Sequence, residues 1–198
     1  HAVVEYIACV LLNPSILDRA RSIMTLDDQF RTEDWHTQRE RAISDRSVVG
    51  TTLGIIGLGR IGSRIAMLGS ALGMRVLYSD ICEIPEDQRF GAQRVPMDEL
   101  LQRSAIITLN TDAREENHRL INANHFAQMK RDVLFINAAR GQLVDPDALV
   151  QFAQSNPDAR VVLDVYDPEP LDDRSLLRSL PNVILTPHIG SGTHQAKE

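Results

Sequence analysis

Leu53-Gly54-Ile55-Ile56-Gly57-Leu58-Gly59-Arg60-Ile61-Gly62 decides how the rest of this chain is read. A short β-branched run meets a Gly-x-Gly-x-x-Gly turn, and a stretch with helical spacing follows. In that context each glycine has a separate physical reason. Gly57 permits a sharp turn, Gly59 lets the backbone come close to a pyrophosphate, and Gly62 lets the helix lie tight on the strand. The first amides of the helix, with the positive end of its dipole, then face the phosphates. Asp80 closes the next β-branched run, 18 residues after Gly62 (80 minus 62). There a carboxylate accepts hydrogen bonds from ribose hydroxyls and repels a 2'-phosphate, so the expected cofactor is NAD rather than NADP.

Working outward, short β-branched runs alternate with amphipathic stretches from Thr52 onward, the pattern of βαβ units around a parallel sheet. Strands are expected at Leu53–Ile56, Arg75–Ser79, Ile106–Leu109, Val133–Asn137, Val161–Val165 and Val183–Leu185, six in all. The stretch Arg60–Leu72 sets Ile61, Ile65, Leu68 and Leu72 on one face, and Asp145–Ala153 does the same with Leu149, Val150 and Phe152. The expected fold class is α/β, a doubly wound Rossmann-type parallel sheet in three layers. Ahead of it, Ala2–Leu12 is apolar on most faces and suits a helix buried against something else. Asn13-Pro14 reads as a cap that restarts a second helix running through Ile23. Thr25–Arg46, polar around the single Trp35, reads as an exposed connection. The expected division is therefore opening helices and linker over 1–46, serving as a dimer arm, and a NAD-binding domain over 47–198.

Composition excludes several classes. The chain has 198 residues, 43% of them hydrophobic, with 21 basic against 27 acidic residues, a net charge of -6 and a pI near 5.5. Neither a nucleic-acid nor an anionic-membrane partner suits that balance, because both want a basic face. Cys9 and Cys82 form no metal-spaced or CxxC pattern, so no metal site or disulfide framework is expected, and the default compartment is the reducing cytoplasm. The Ile7–Leu12 apolar run is too short to span a bilayer.

In an open parallel sheet, ligands bind beyond the carboxyl ends of the strands. The loops at those ends read Asn110-Thr111, Asn137-Ala138-Ala139-Arg140-Gly141, Asp164 with Asp167-Pro168-Glu169-Pro170, and Thr186-Pro187-His188-Ile189-Gly190-Ser191. Arg140 offers a planar fork for a carboxylate. His188 exchanges a proton near neutral pH, and Glu169 orients the imidazole and favours its charged form. Hydride transfer on a small 2-oxo acid uses all three. Asp164, at the end of an apolar strand, is a buried carboxylate that needs partners. His1, His36, His118, His125 and His194 stand in polar or terminal contexts and are read as surface or structural residues.

These motifs, in this order, resemble the signatures of the D-isomer-specific 2-hydroxyacid dehydrogenases, over nearly the whole chain from Val4-Glu5 to Gly192. The resemblance implies that the Arg60 and Ile61 amides hold the pyrophosphate, Asp80 the ribose and Asp164 the nicotinamide carboxamide. Thr111, Ala138, Ala139, Arg140 and the turn of His188, Gly190 and Ser191 would line the cofactor. Arg140 would bind substrate, with Glu169 and His188 as the acid/base pair. Two departures stand out. The loop after the third expected strand reads Asn110-Thr111-Asp112-Ala113-Arg114, where the family has His-x-Pro-Leu-Thr. Asn110 is shared with formate dehydrogenases, but those relatives carry glutamine where this chain has Glu169. The family's substrate domain has no counterpart here, so the chain reads as one domain of a longer protein, nearly inactive alone. Also expected are a homodimer through the opening helices and, as rival functions, an NAD(H)-sensing corepressor of the same fold or a formate dehydrogenase-like enzyme.

Overall fold

The computed structural model describes residues 2–13, 34–42 and 47–192. In chain order the elements are α1 (Ala2–Leu12), α2 (Trp35–Ala42), β1 (Thr52–Ile56), α3 (Arg60–Ala71), β2 (Arg75–Ser79) and β3 (Gln93–Arg94). They continue with α4 (Met97–Arg103), β4 (Ile106–Leu109), α5 (Ala123–Phe126), β5 (Leu134–Asn137), α6 (Pro146–Ser155), β6 (Arg160–Leu163) and β7 (Val183–Leu185). The strands form one sheet in the order β3-β2-β1-β4-β5-β6-β7, parallel throughout.

Strand alternation sorts the apolar side chains into two cores, one on each face. Leu53 and Ile55 of β1, with Leu134 and Ile136 of β5, face a core that includes Ile65 and Ala66 of α3 and Ile7, Val10 and Leu11 of α1. Ile56, Phe135, Val161 and Leu163 face the other core, filled by Leu100 and Leu101 of α4, Phe126 of α5 and Leu149 and Phe152 of α6. The fold is thus three layers around a Rossmann-type sheet. One apolar face of α1 is buried on the sheet, where Ile7 and Leu11 have no exposed surface. Burial of each stabilises by about 2 kcal/mol. On the other face Phe126 lies between Phe135 and Phe152, with ring centroids 5.5 and 4.9 Å away.

Four expectations change. The sheet has seven strands, not six: β3 is a two-residue edge strand beside β2, too short to leave a periodic trace. The fifth expected strand, Val161–Val165, starts one residue earlier and ends at Leu163, because its partner β7 ends at Leu185 and the Asp164 carboxylate turns to bond the loop beyond. The expected strand at Val133 starts at Leu134, the first residue paired across to Ile106. Part of the expected connection is the helix α2, whose start is capped by Asp34: one carboxylate oxygen accepts from the His36 and Thr37 amides at 3.0 and 3.1 Å. One turn on, the Arg39 guanidinium lies over the Trp35 ring, 5.0 Å from its centroid. The helix expected through Ile23 lies outside the described residues.

Candidate cofactor and catalytic edge

The register of the sheet builds a row. Ser79, Ile56, Leu109, Asn137, Leu163 and Leu185 pair across adjacent strands. Asp80, Gly57, Asn110, Ala138, Asp164 and Thr186, each one residue further, therefore stand side by side on the carboxyl edge. At about 4.8 Å per strand, Gly57 and Asp164 are about 14 Å apart. The chain winds outward from β1 to β3, then crosses back to β4 on the other side of β1, so the topological switch point lies between Gly57 and Asn110.

At that point Gly57 has φ +89°, a backbone conformation that side chains rarely adopt, and its amide donates to the Ser79 carbonyl at 2.9 Å. Gly62 packs directly under the Gly57 carbonyl, where a Cβ would collide with backbone. Above Gly59 the space is open, and no side chain caps α3. Its first amides, from Arg60 and Ile61 onward, are left for a ligand. Asp80 is held in place: one carboxylate oxygen accepts from the Leu58 amide at 2.7 Å, the other from the Cys82 amide at 2.8 Å. Gly57, Gly59, Asp80, Asn110, Thr111 and Arg114 share a cleft of about 480 Å³, within the size range of small-molecule sites. The Thr111 hydroxyl in it is buried without a partner.

These features fit a dinucleotide: a cradle free of side chains, unfilled helix amides, a positioned carboxylate and an orphaned hydroxyl. The departure after β4 has a structural result. Arg114 clamps Asp112 through both carboxylate oxygens, at 2.9 and 2.7 Å, and Asn117 adds a bond to the Asp112 side chain at 2.9 Å. The Arg114 hydrogen bond holds the Asp112 carboxyl below its usual range. The motif without proline still makes an ordered wall of the cleft.

Across the row, Asn137 shapes the next loop, donating to the Arg140 carbonyl at 3.0 Å and accepting from the Ala139 amide at 3.1 Å. Ala138 is buried there and Arg140 exposed. Among the described residues the Arg140 guanidinium bonds the Ala139 carbonyl, at 2.6 Å, and neither Glu169 nor His188. Gly141, the next residue, lies against the Tyr166–Asp167 backbone so closely that no Cβ would fit, which draws this loop towards the one carrying Glu169.

Glu169 Oε1 and His188 Nδ1 are 2.6 Å apart, both side chains a little over one-third exposed. An ionised carboxylate only accepts, so Nδ1 carries the hydrogen and Nε2 is the nitrogen left to exchange a proton. His188 has φ +52°, a strained conformation that costs roughly 1–3 kcal/mol and persists only where its surroundings enforce it. Asp164, only 1% exposed, supplies that enforcement. It accepts from the Thr186 hydroxyl at 2.6 Å, the Ile189 amide at 2.8 Å and the Gly190 amide at 2.7 Å, gripping the turn on both sides of His188. Ser191 follows, exposed.

Sequence reasoning missed Asn137, Thr186, Tyr6, Tyr166 and Arg114 as site residues. Asn137, a polar residue closing an apolar strand, carried a readable signal of the kind that marked Asp164. The two tyrosines carried none, because their role depends on contacts far away in the chain.

A parallel sheet with its glycine turn at the switch point, an acidic residue closing β2 and a Glu-His pair at the far end define a nicotinamide-dinucleotide-binding Rossmann domain. The chain belongs to the D-isomer specific 2-hydroxyacid dehydrogenases: the model of that family's NAD binding domain matches residues 14–190. It is 36% identical over 191 residues to a glyoxylate reductase of Thermococcus onnurineus, covering 92% of this chain and 56% of that protein. It is 38% identical over 201 residues to D-3-phosphoglycerate dehydrogenase 1 of Saccharomyces cerevisiae, covering 94% and 42%. The crystal structure of D-lactate dehydrogenase from Aquifex aeolicus complexed with NAD and lactic acid superposes with a TM-score of 0.79 at 33% identity, covering 100% of this chain and 62% of that one. The chain thus spans less than two thirds of the length of these relatives.

Proposed function

We propose that the protein carrying this chain interconverts a 2-oxo acid and a D-2-hydroxy acid. The observation that carries the reading is the 2.6 Å contact between Glu169 and His188 Nδ1. When bound, NAD(H) supplies or accepts the hydride. His188 Nε2 gives its proton to the substrate oxygen in reduction and takes it back in oxidation. Glu169 fixes the tautomer and stabilises the imidazolium. Arg140, at the end of β5, binds the substrate carboxylate through its planar fork. On the cofactor side, Asp80 accepts the adenosine ribose hydroxyls, the Arg60 and Ile61 amides take the pyrophosphate, and Thr111, Ala138, Ala139, Asp164, Gly190 and Ser191 line the rest.

The relatives are longer than this chain, and we assign the opposite wall of the active site to that further length. A homodimer through α1 is part of the same reading, supported by Leu12, about half exposed at its end. The cytoplasm suits the two exposed free thiols, Cys9 and Cys82. The test is NADH oxidation by the full-length protein with glyoxylate, pyruvate, hydroxypyruvate and 3-phosphohydroxypyruvate. Turnover of at least one of them, lost in His188→Ala, supports the reading, and undiminished turnover in that variant overturns it.

A further inference from the structure

We propose that Tyr6 and Thr186 are positioning residues for His188, acting through Asp164; the inference rests on the reading of His188 as the proton-transfer group. Tyr6 Oη and Thr186 Oγ1 are 2.8 Å apart, although 180 positions separate them in the chain. The Thr186 hydroxyl has one hydrogen, and a carboxylate oxygen 2.6 Å away takes it. Tyr6 must therefore be the donor to Thr186, and the bonds run in one direction: Tyr6 to Thr186 to Asp164. In such a chain each bond polarises the next, so the tyrosine strengthens the grip of Thr186 on Asp164. The same carboxylate holds the Ile189 and Gly190 amides.

Thr186 is anchored a second time through its backbone. The Tyr166 hydroxyl donates its hydrogen to the Thr186 carbonyl at 2.7 Å, with the Leu163 carbonyl 3.1 Å away. His188 is thereby bracketed two residues before and one and two residues after, which is what a left-handed histidine requires to stay in place. The Tyr6 ring also underlies the turn: a Cβ on Gly190 would lie 3.7 Å from Tyr6 Cγ and 2.8 Å from Asp164 Oδ2. Burial raises the pKa of Tyr6, which keeps its proton available for donation. Helix α1, buried beside α3, thus reaches the catalytic turn at the far end of the sheet through one hydroxyl.

The test has two arms. In the 198-residue chain, NMR reads the His188 backbone coupling and the titration of its ring. Tyr6→Phe and Thr186→Val should shift both, and Thr186→Ser, which keeps the hydroxyl, should restore them. In the full-length protein the same two variants should lower kcat roughly tenfold with KM for the oxo acid little changed, as expected for lost orientation rather than lost binding. Unchanged His188 signals in both variants, or a Thr186→Ser protein that behaves like Thr186→Val, would overturn the proposal. A full-length protein that reduces no 2-oxo acid would instead remove the functional reading while leaving the NMR result standing.

Discussion

The two ends of the carboxyl edge are built differently. At the β1–β2 end the site is backbone: a glycine at positive φ, a second glycine pressed under it, open helix amides and one carboxylate that locks the turn. At the β6–β7 end it is side chain: a buried aspartate, a threonine and two tyrosines hold one strained histidine against one glutamate. The first end depends on the absence of side chains within a local stretch. The second depends on long-range hydrogen bonds, each replaceable singly. The glycine turn should therefore fail all at once, and the histidine turn by degrees.

The largest effect should separate the two ends cleanly. His188→Ala in the full-length protein should lower kcat by roughly 10²–10⁴, the usual worth of a positioned acid/base group, with NAD affinity changed less than about twofold. Steady-state kinetics and calorimetry check both numbers, and a parallel loss of NAD binding would break the comparison. Next comes Gly62→Val, whose side chain meets the Gly57 carbonyl. Overpacking there should cost about 3 kcal/mol in urea unfolding and abolish NAD binding together with stability. A smaller, local change is Asp80→Asn, which should weaken NAD about tenfold and erode discrimination against NADP, and should cost about 1 kcal/mol of stability because an amide side chain can accept from only one of the Leu58 and Cys82 amides.

The smallest effect concerns pH. Burial and the nearby Asp164 push the Tyr166 pKa up to about 12 from an ordinary 10.0. The folded state thus holds that proton more tightly than the unfolded state does. Its contribution is fully present below pH 10 and is lost as pH rises from about 10 to 12. Tyr166→Phe should flatten that part of the stability profile, and absorbance titration of the tyrosinates should lose a late-titrating group in that variant.

How much of this was legible follows the same division. Gly57, Gly59, Gly62 and Asp80 are readable because each acts through backbone geometry within one βαβ unit, and short β-branched runs, buried on both faces, placed most strands within a residue or two. Strand β3 was invisible because Gln93 and Arg94 are both exposed and pair on one side only. Helix α2 was read as linker because its residues are polar all round, although the Asp34 cap was there to be seen. At the histidine end, Arg140, Glu169 and His188 could be named as chemistry but not positioned. Nothing in the sequence says that Tyr6 meets Thr186, since that contact exists only after α1 has packed on the sheet.

Calorimetric titration of the 198-residue chain with NAD+ and, separately, NADP+ tests the central claim most directly. The account predicts one saturable NAD+ site, with NADP+ bound at least about tenfold more weakly because Asp80 repels the 2'-phosphate. No NAD+ binding, or equal affinity for the two cofactors, would contradict it.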